Sequence, residues 1–216
     1  MTDADDDNTE TLKIVLIGES GVGKTSIISQ YLDQVFQEDQ QSTIGGTFCS
    51  KTIKCSNGKI LKFEIWDTAG QERYRSVTKM FYKDADAALL VYDITNPFSY
   101  EELQKYWVQQ VKECSSQNII LAIIANKSDL IELEKVDEEA ARNYANEVNA
   151  IYAKTSAKDN IGVNDLFEEI AKKYSGADSA TTVEEKDDAE EYRKIRKESV
   201  KITKDSQKNK KKRCCS

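Results

Sequence analysis

The chain of 216 residues contains no histidine, and this absence excludes several kinds of chemistry. Neither a Ser-His-Asp or Cys-His nucleophile system nor a histidine-containing zinc site can be built from it. The five cysteines are odd in number and include no C-x-x-C pair, so a disulfide framework or a zinc ribbon is not expected. The longest apolar run, Ile119 to Ala125, has seven residues, whereas about 20 are needed to span a bilayer. The acidic N-terminus lacks the basic and apolar regions of a signal peptide.

Charge is unevenly distributed and divides the chain into three parts. Residues 1–10 carry five acidic side chains and no basic one, and residues 178–191 carry seven acidic side chains and one lysine. Residues 193–213 hold eleven lysines and arginines against two acids. Both ends lack periodic apolar residues, which is typical of disorder. We therefore expect an acidic disordered arm over 1–10, a folded domain over 11–175, and a disordered tail over 176–216 that is acidic and then polybasic.

Apolar runs alternate with amphipathic segments inside the predicted domain. Strands are predicted over Leu12–Ile17, Phe48–Cys55, Ile60–Trp66, Ala87–Tyr92, Ile119–Ala125 and Ile151–Lys154. An Asn-Gly turn between the second and third predicts an antiparallel hairpin. Helices are predicted after Gly23, from a capping box at Ser99-x-x-Glu102, and around Leu166 to Tyr174. The pattern indicates an α/β domain with a six-stranded, mostly parallel sheet, one antiparallel strand and helices on both faces.

A phosphate-binding loop lies between the first predicted strand and the first predicted helix. The segment Gly18 to Thr25 matches G-x-x-x-x-G-K-[ST]. Glycines let backbone N–H groups approach phosphate oxygens, and the following helix points its positive end at the same anion. Lys24 is expected to bridge the β- and γ-phosphates, and the Thr25 hydroxyl to ligate Mg²⁺. The phosphate-binding prediction comprises Gly18, Ser20, Gly21, Val22, Gly23, Lys24, Thr25 and Ser26.

Three further motifs follow in order, and together they carry a resemblance to a known family. They are Asp67-Thr68-Ala69-Gly70, then Asn126-Lys127-Ser128-Asp129, then Thr155-Ser156-Ala157-Lys158. Over residues 11–175 and the last few residues the chain resembles the small Ras-like GTPases, and within them the Rab family. Met80-Phe81-Tyr82 and the Cys-Cys-Ser end are more similar to the endosomal Rab branch. The resemblance implies a P-loop NTPase fold of the Ras-like type, a three-layer sandwich.

The Asn-Lys-x-Asp motif predicts a preference for guanine. A carboxylate accepts hydrogen bonds from both N1–H and the exocyclic amine of guanine, whereas adenine would leave it unpaired, which costs roughly 1–3 kcal/mol or more. Asp129 is the predicted carboxylate. The resemblance implies that Asn126 fixes the base edge, that Lys127 and Phe36 sandwich the ring, and that the Ala157 backbone reads O6. Ser156 and Lys158 flank Ala157 in the same predicted subsite.

The resemblance also implies a magnesium-dependent switch and a water-positioning residue. Thr25 and Thr43 would offer hydroxyls to Mg²⁺, Thr43 only when a γ-phosphate is present, and Asp67 would act through a water molecule. The γ-phosphate would order Thr43 and the Gly70 N–H, and hydrolysis would release both. Gln71 would orient the attacking water. Because no arginine stands out as one supplied in cis, we expect slow hydrolysis that a partner stimulates.

Further residues are implied to face partners. Phe48, Trp66 and Phe81 occupy the positions of the Rab aromatic triad, with Ile44 beside them, although plain core packing is the alternative. The family more often has tyrosine at the third position, and Gly46-Thr47 replaces the common Val-Asp pair. The implied partners are an exchange factor, a GTPase-activating protein, effectors, and an escort protein or GDP-dissociation inhibitor; no nucleic acid is expected.

The last residues predict a lipid anchor. A C-a-a-X box needs a cysteine fourth from the end, where this chain has Arg213. The end instead resembles the Rab pattern in which both Cys214 and Cys215 receive geranylgeranyl groups, and two lipid chains are what stable anchoring takes. The polybasic stretch would add attraction to anionic leaflets. We expect the protein on the cytosolic face of intracellular membranes, endosomes being favoured, with a soluble cytoplasmic pool.

Two other function classes compete with the switch. One is a nucleotide-binding interaction module without significant hydrolysis, against which Gln71 and both threonines argue. The other is an ATP-dependent small-molecule kinase built on the same phosphate loop. A kinase would need a lid and an acceptor site, and would not need the Asn126 to Asp129 motif.

Overall fold

The computed structural model describes residues 9–38, 40, 42–43, 46–70 and 80–182. Strands and helices alternate over this range. The strands are β1 (Thr9–Ile17), β2 (Gly46–Cys55), β3 (Ile60–Thr68), β4 (Ala87–Asp93), β5 (Ile120–Asn126), β6 (Ile151–Thr155) and β7 (Ala180–Thr182). The helices are α1 (Lys24–Asp33), α2 (Pro97–Glu102), α3 (Val108–Cys114), α4 (Glu138–Glu147) and α5 (Val163–Ser175), with a π-helical stretch (Leu103–Trp107) joining α2 to α3 and a 3₁₀ segment over Ser128–Leu133.

The strands form one sheet in the order β6-β5-β4-β1-β3-β2-β7. β1 pairs in parallel with β3 and β4, and β5 pairs in parallel with β4 and β6. β2 is antiparallel to β3, as the Asn57-Gly58 turn predicts. Because the strand order reverses beside β1, the loops that follow β1 and β4 diverge there, which leaves a crevice at the carboxyl ends of the strands.

Each face of the sheet buries its own core. Leu12, Ile14 and Leu16 of β1 pack toward α1 and α5, and the alternate residues Val15 and Ile17 pack toward α3 and α4. β4 and β5 are buried at every position because both of their faces are covered by helices. The mostly parallel sheet with helices on both faces confirms the predicted fold class.

The structure corrects the predicted number of strands from six to seven. The additional strand, β7, pairs antiparallel with β2 over Ile53 to Cys55 and uses residues from the beginning of the predicted tail. Its pairing is supported by bonds at the β2–β3 turn, where the Ser56 N–H donates to the Ser179 carbonyl and the Asn57 amide donates to the Ser175 carbonyl. The edge of β2 is therefore covered at its C-terminal end.

The predicted capping box at Ser99 is also wrong. The helix begins two residues earlier, at Pro97, with Asn96 as its N-terminal flanking residue. Pro97 fits there because the first turn needs no N–H donor from it. The Ser99 hydroxyl is buried, donates to the Asn96 carbonyl and accepts from the Asp93 N–H, so it ties the helix start to the end of β4.

Candidate functional site

The phosphate loop follows β1 in a conformation that depends on glycine. Gly18 and Gly23 have positive φ values of 145° and 98°. A Cβ on Gly18 would lie 2.3 Å from the Val91 carbonyl oxygen, and one on Gly23 would lie 2.3 Å from Nδ2 of Asn126. Among the residues that the structure describes, no side chain caps the N-terminus of α1, and the first turn of this helix has no acidic residue. The first N–H groups of α1 are therefore available to an anion.

Lys24 lies at the centre of this loop and is 5% exposed. Its Nζ donates to the Gly18 and Glu19 carbonyl oxygens, at 2.8 Å each. An ammonium group has three donors, so one remains for a phosphate oxygen. Burial lowers the pKa of Lys24 to about 8, although the negative charges of Asp67 and Glu19 act in the opposite direction. Bound phosphates would restore the charge by the same electrostatic effect.

Three oxygen-bearing side chains converge beside Lys24. The Thr25 hydroxyl donates to the Asp67 carboxylate at 2.6 Å, and it lies 2.8 Å from the Thr43 hydroxyl oxygen. The Thr43 hydroxyl is 3.5 Å from the same Asp67 oxygen. Asp67 is completely buried. Hard oxygen donors are the ligands that Mg²⁺ prefers, and this ion keeps several ligands from water and phosphate. The donor set therefore fits magnesium together with a nucleotide.

Gly70 approaches the phosphate loop closely. A Cβ at this position would lie 2.5 Å from the Glu19 carbonyl group and 2.5 Å from Nζ of Lys24. The Asp67-x-x-Gly70 segment thus runs directly over the lysine, which brings the backbone of Gly70 to the place where a terminal phosphate would meet Lys24.

Asn126 connects the two ends of the site. This side chain is buried, donates from Nδ2 to the Val22 carbonyl at 2.8 Å, and accepts at Oδ1 from the Thr155 hydroxyl at 3.0 Å. The first bond reaches the phosphate loop and the second reaches the end of β6. Asn126 therefore holds together three segments that come from distant parts of the chain.

The side chains assigned to guanine lie on the loops after β5 and β6. Asp129 accepts a bond from the Ser156 hydroxyl at 2.7 Å, which orients its carboxylate. Lys127 has a left-handed backbone conformation, and its ammonium pairs with the Asp93 carboxylate at 2.6 Å. That ion pair fixes the aliphatic stem of Lys127. Asp93 was not among the site residues predicted from the sequence.

These groups line an open pocket of about 380 Å³. Phe36, Lys127, Asp129 and Ala157 of the predicted guanine subsite line it together with Lys24 of the phosphate loop. The predicted residues in its lining are Ser20, Gly21, Gly23, Lys24, Thr25, Ser26, Phe36, Thr43, Gly70, Asn126, Lys127, Asp129, Ala157 and Lys158. Gly18, Val22, Asp67 and Ser156 are buried, and each is hydrogen-bonded to a residue of the lining.

Six residues that line the pocket were not predicted from the sequence, and four predicted residues lie outside the part of the chain that the structure describes. Gln37, Glu38, Gln40, Ser42, Thr68 and Leu130 also line the pocket. The Gln40 side chain accepts a hydrogen bond from the Ser26 hydroxyl. This contact follows from the fold, and no sequence motif indicates it. Ile44, Gln71, Cys214 and Cys215 lie outside the described residues.

The predicted aromatic triad is contiguous in the structure. The ring centroids of Phe48 and Trp66 are 5.1 Å apart, and those of Trp66 and Phe81 are 5.4 Å apart. All three side chains are half-buried. A Cβ on Gly46 would lie 2.7 Å from Cζ of Phe81, so the phenylalanine ring fills the space that this glycine leaves.

Within the part of the chain that the structure describes, no group of three or more cysteine or acidic side chains could hold a metal ion. No helix in that part has the length and apolar character needed to cross a membrane.

Comparison with known proteins identifies the family. The Ras family model matches residues 13–176. The chain is 47% identical over 161 residues to Ras-related protein Rab5A of Oryza sativa subsp. japonica, covering 74% of this chain and 78% of the relative. It is 42% identical over 168 residues to human Ras-related protein Rab-22A, and the match covers 78% of this chain and 86% of that relative. Ras-related protein RABF2a of Arabidopsis thaliana is 45% identical over 161 residues, and the match covers 74% of this chain and 80% of that relative.

These matches confirm the predicted family and its endosomal branch, and they disfavour the interaction module without hydrolysis. Ras-family proteins bind GDP or GTP, generally with Mg²⁺, and work with regulators and effectors. The chain belongs to the Ras family and is a Rab-like small GTPase, a GTP hydrolase that acts as a GDP/GTP-controlled switch in vesicle trafficking.

Proposed function

We propose that the pocket between Lys24 and Asp129 is the guanine-nucleotide site of this GTPase, with the residue roles given by the motifs. The single observation that carries the proposal is the convergence of three distant motifs on one pocket, which Asn126 holds together through Val22 and Thr155. In this proposal the GTP-binding domain covers residues 11–175 and extends to Thr9 at one end and to Thr182 at the other, because these strand residues belong to the same sheet. The acidic arm before Thr9 and the tail after Thr182 lie outside it.

Base selection rests on the orientation of Asp129. Its Oδ1 already accepts from Ser156, and each carboxylate oxygen has a second acceptor site for N1–H and the exocyclic amine of guanine. Phe36 and the Lys127 stem, fixed by Asp93, would enclose the ring from two sides. A buried amide at Asn126 orders the backbone between the base and the phosphates.

The phosphate end combines donors with magnesium ligands. Lys24, the N-terminus of α1 and the backbone of the glycine-rich loop bind phosphate oxygens. Thr25 and Thr43 would supply hydroxyls to Mg²⁺, and Asp67, which accepts from Thr25, would act through a water molecule. The ion, when bound, neutralises charge on the phosphates. These groups hold and orient the nucleotide, which is what phosphoryl transfer requires of a protein.

Switching follows from the position of Gly70. The backbone of this residue lies beside Lys24 and the Glu19 peptide. A γ-phosphate bound to Lys24 would accept from the Gly70 N–H and draw in the Thr43 hydroxyl, and hydrolysis would remove both contacts. Gln71, the next residue along the chain, would orient the attacking water. Slow hydrolysis would be accelerated when a partner supplies an arginine, by roughly 10³–10⁵.

A single-turnover assay tests the hydrolytic assignment. The protein is loaded with GTP and Mg²⁺, and phosphate release is followed with and without an activating protein that stimulates the wild type. Gln71→Leu is expected to bind GTP as the wild type does and to lose most of the stimulated hydrolysis, because only water positioning is removed. Release at the wild-type rate from the variant would refute the role of Gln71.

The tail is proposed to anchor the switch to membranes. Cys214 and Cys215 would each receive a geranylgeranyl group with the help of an escort protein, and a GDP-dissociation inhibitor would supply a soluble pool. Two lipid chains suffice for stable anchoring, and the lysine-rich stretch before them adds roughly 1 kcal/mol for each charge near an anionic surface. The relatives named Rab5A and Rab-22A favour endosomal membranes as the destination.

Mass spectrometry of the protein from its own cells tests the anchor. Two C20 isoprenoids per chain are expected, and Cys214→Ser combined with Cys215→Ser should leave the protein in the soluble fraction. A double variant that still sediments with membranes would refute lipidation as the anchor without affecting the GTPase assignment.

A further inference from the structure

Trp107 makes a long-range contact that the mechanism above does not use. Its indole Nε1 donates to Oε1 of Glu19 at 3.1 Å, across 88 positions of sequence. Glu19 is the second residue of the phosphate loop, and Trp107 lies between α2 and α3. The contact therefore joins the helix that packs against β4 to the loop that holds the phosphates.

The backbone around Trp107 is irregular at this point. Residues Leu103–Trp107 form a π-helical turn, in which the Val108 N–H donates to the Leu103 carbonyl. Such a turn inserts one residue into a helix and is frequent at functional sites. The Trp107 side chain is 1% exposed and packs in the core with Val111. A buried indole N–H requires an acceptor, and the Glu19 carboxylate provides a charged one.

The backbone of Glu19 also contacts Lys24 and Gly70, the two residues proposed to meet the γ-phosphate. Its carbonyl oxygen accepts from Nζ of Lys24, and the backbone of Gly70 approaches that same carbonyl so closely that no Cβ would fit. A change in the position of the Glu19 peptide would therefore move both groups that meet the γ-phosphate.

We propose that Trp107 is a positioning residue for the phosphate loop: its indole N–H holds the Glu19 carboxylate and so fixes the peptide against which Lys24 and Gly70 pack. The inference rests on the proposed nucleotide site and adds a residue that none of its motifs contains. Because Lys24 and Gly70 both face the γ-phosphate, loss of this bond weakens the binding of a GTP analogue more than that of GDP.

The test compares dissociation rates of fluorescent GDP and of a fluorescent non-hydrolysable GTP analogue from the full-length protein with Mg²⁺. Loss of a hydrogen bond to a charged group predicts that Trp107→Phe releases the GTP analogue about tenfold faster and GDP about threefold faster. Glu19→Ala should reproduce both changes without altering the core. Glu19→Gln keeps an acceptor oxygen and should restore most of the wild-type behaviour.

Controls separate positioning from packing. Val111→Ala truncates a core side chain of the same apolar cluster that offers no hydrogen-bond donor to Glu19. It should lower the melting temperature and leave the ratio of the two dissociation rates unchanged. Trp107→Phe combined with Glu19→Ala should be no worse than either single change, because both remove the same bond. Additive effects, or an unchanged ratio in Glu19→Ala, would overturn the inference. Failure of the wild type to bind guanine nucleotides would instead refute the proposed function.

Discussion

Replacing Asn126 by alanine should damage both the fold and the nucleotide site, and the structure sets the size of the effect. The change removes the bond to the Val22 carbonyl and the bond from the Thr155 hydroxyl. Both partners belong to fully buried residues. Each polar group left without its partner costs about 1–3 kcal/mol, which predicts a total loss of about 2–6 kcal/mol. That is a large part of the roughly 5–15 kcal/mol that stabilises a domain.

Part of this loss should appear as weaker nucleotide binding, because Val22 lies within the phosphate loop. If about 2 kcal/mol is lost from binding, GDP is released roughly 30-fold faster. Thr155→Val removes only the bond at β6, so it should destabilise the domain with a smaller effect on GDP release. Asn143→Ala, on the exposed face of α4, is the matched control.

Urea denaturation and stopped-flow release of a fluorescent GDP analogue provide the two measurements. We expect Asn126→Ala to release GDP fastest and Thr155→Val to release it more slowly. Asn143→Ala should release GDP at the wild-type rate, which is the slowest. Asn126→Ala with an unchanged denaturation midpoint and an unchanged release rate would refute the role of this side chain as the link between the motifs.

Two further predictions follow from the lysine and from the aromatic triad. Burial lowers the pKa of Lys24 to about 8, and bound phosphates would raise it. Nucleotide binding should therefore take up a proton above pH 8, and GDP affinity should fall there by up to about tenfold per pH unit. Calorimetry should find that slope in the wild type and none in Lys24→Arg, and equal slopes would contradict the assignment. Gly46→Ala forces the Phe81 ring to move and should destabilise the domain by about 1–3 kcal/mol. In a Phe81→Ala background the same change should cost much less in denaturant unfolding, and an unchanged cost would show that the ring is not the obstacle.

Much of the fold could be predicted because local patterns agree with the tertiary structure. β4 and β5 are continuous apolar runs that end in Asp93 and Asn126, and the hairpin follows its Asn-Gly turn. Other elements carry too little local signal. The helix Glu138–Glu147 buries only Ala141 and Ala145, and β7 is held by backbone bonds that almost any sequence can make.

In the site, too, some features carried a local sequence signal and others did not. Contiguous motifs predicted a shared site for Lys24, Thr25 and Asp129, because each stretch carries its own chemistry, and the structure brings the three residues to one pocket. Contacts between motifs could not be read from spacing. The Lys127–Asp93 ion pair and the Trp107–Glu19 bond join segments that only the sheet order brings together. At the start of α2 the sequence offered two competing local signals, Pro97 and the Ser99 capping box. The helix begins at Pro97, so the proline determined the boundary.

Base selectivity tests the central claim most directly, since a guanine switch depends on Asp129. Competition of GDP, ADP and XDP against a fluorescent GDP analogue should show that the wild type binds GDP far more tightly than ADP. Asp129→Asn exchanges an acceptor oxygen for an N–H₂ donor, and it should transfer the preference from GDP to XDP, whose C2 carbonyl accepts from that donor. Equal competition by ADP and GDP in the wild type, or an Asp129→Asn variant that still prefers GDP, would contradict the account.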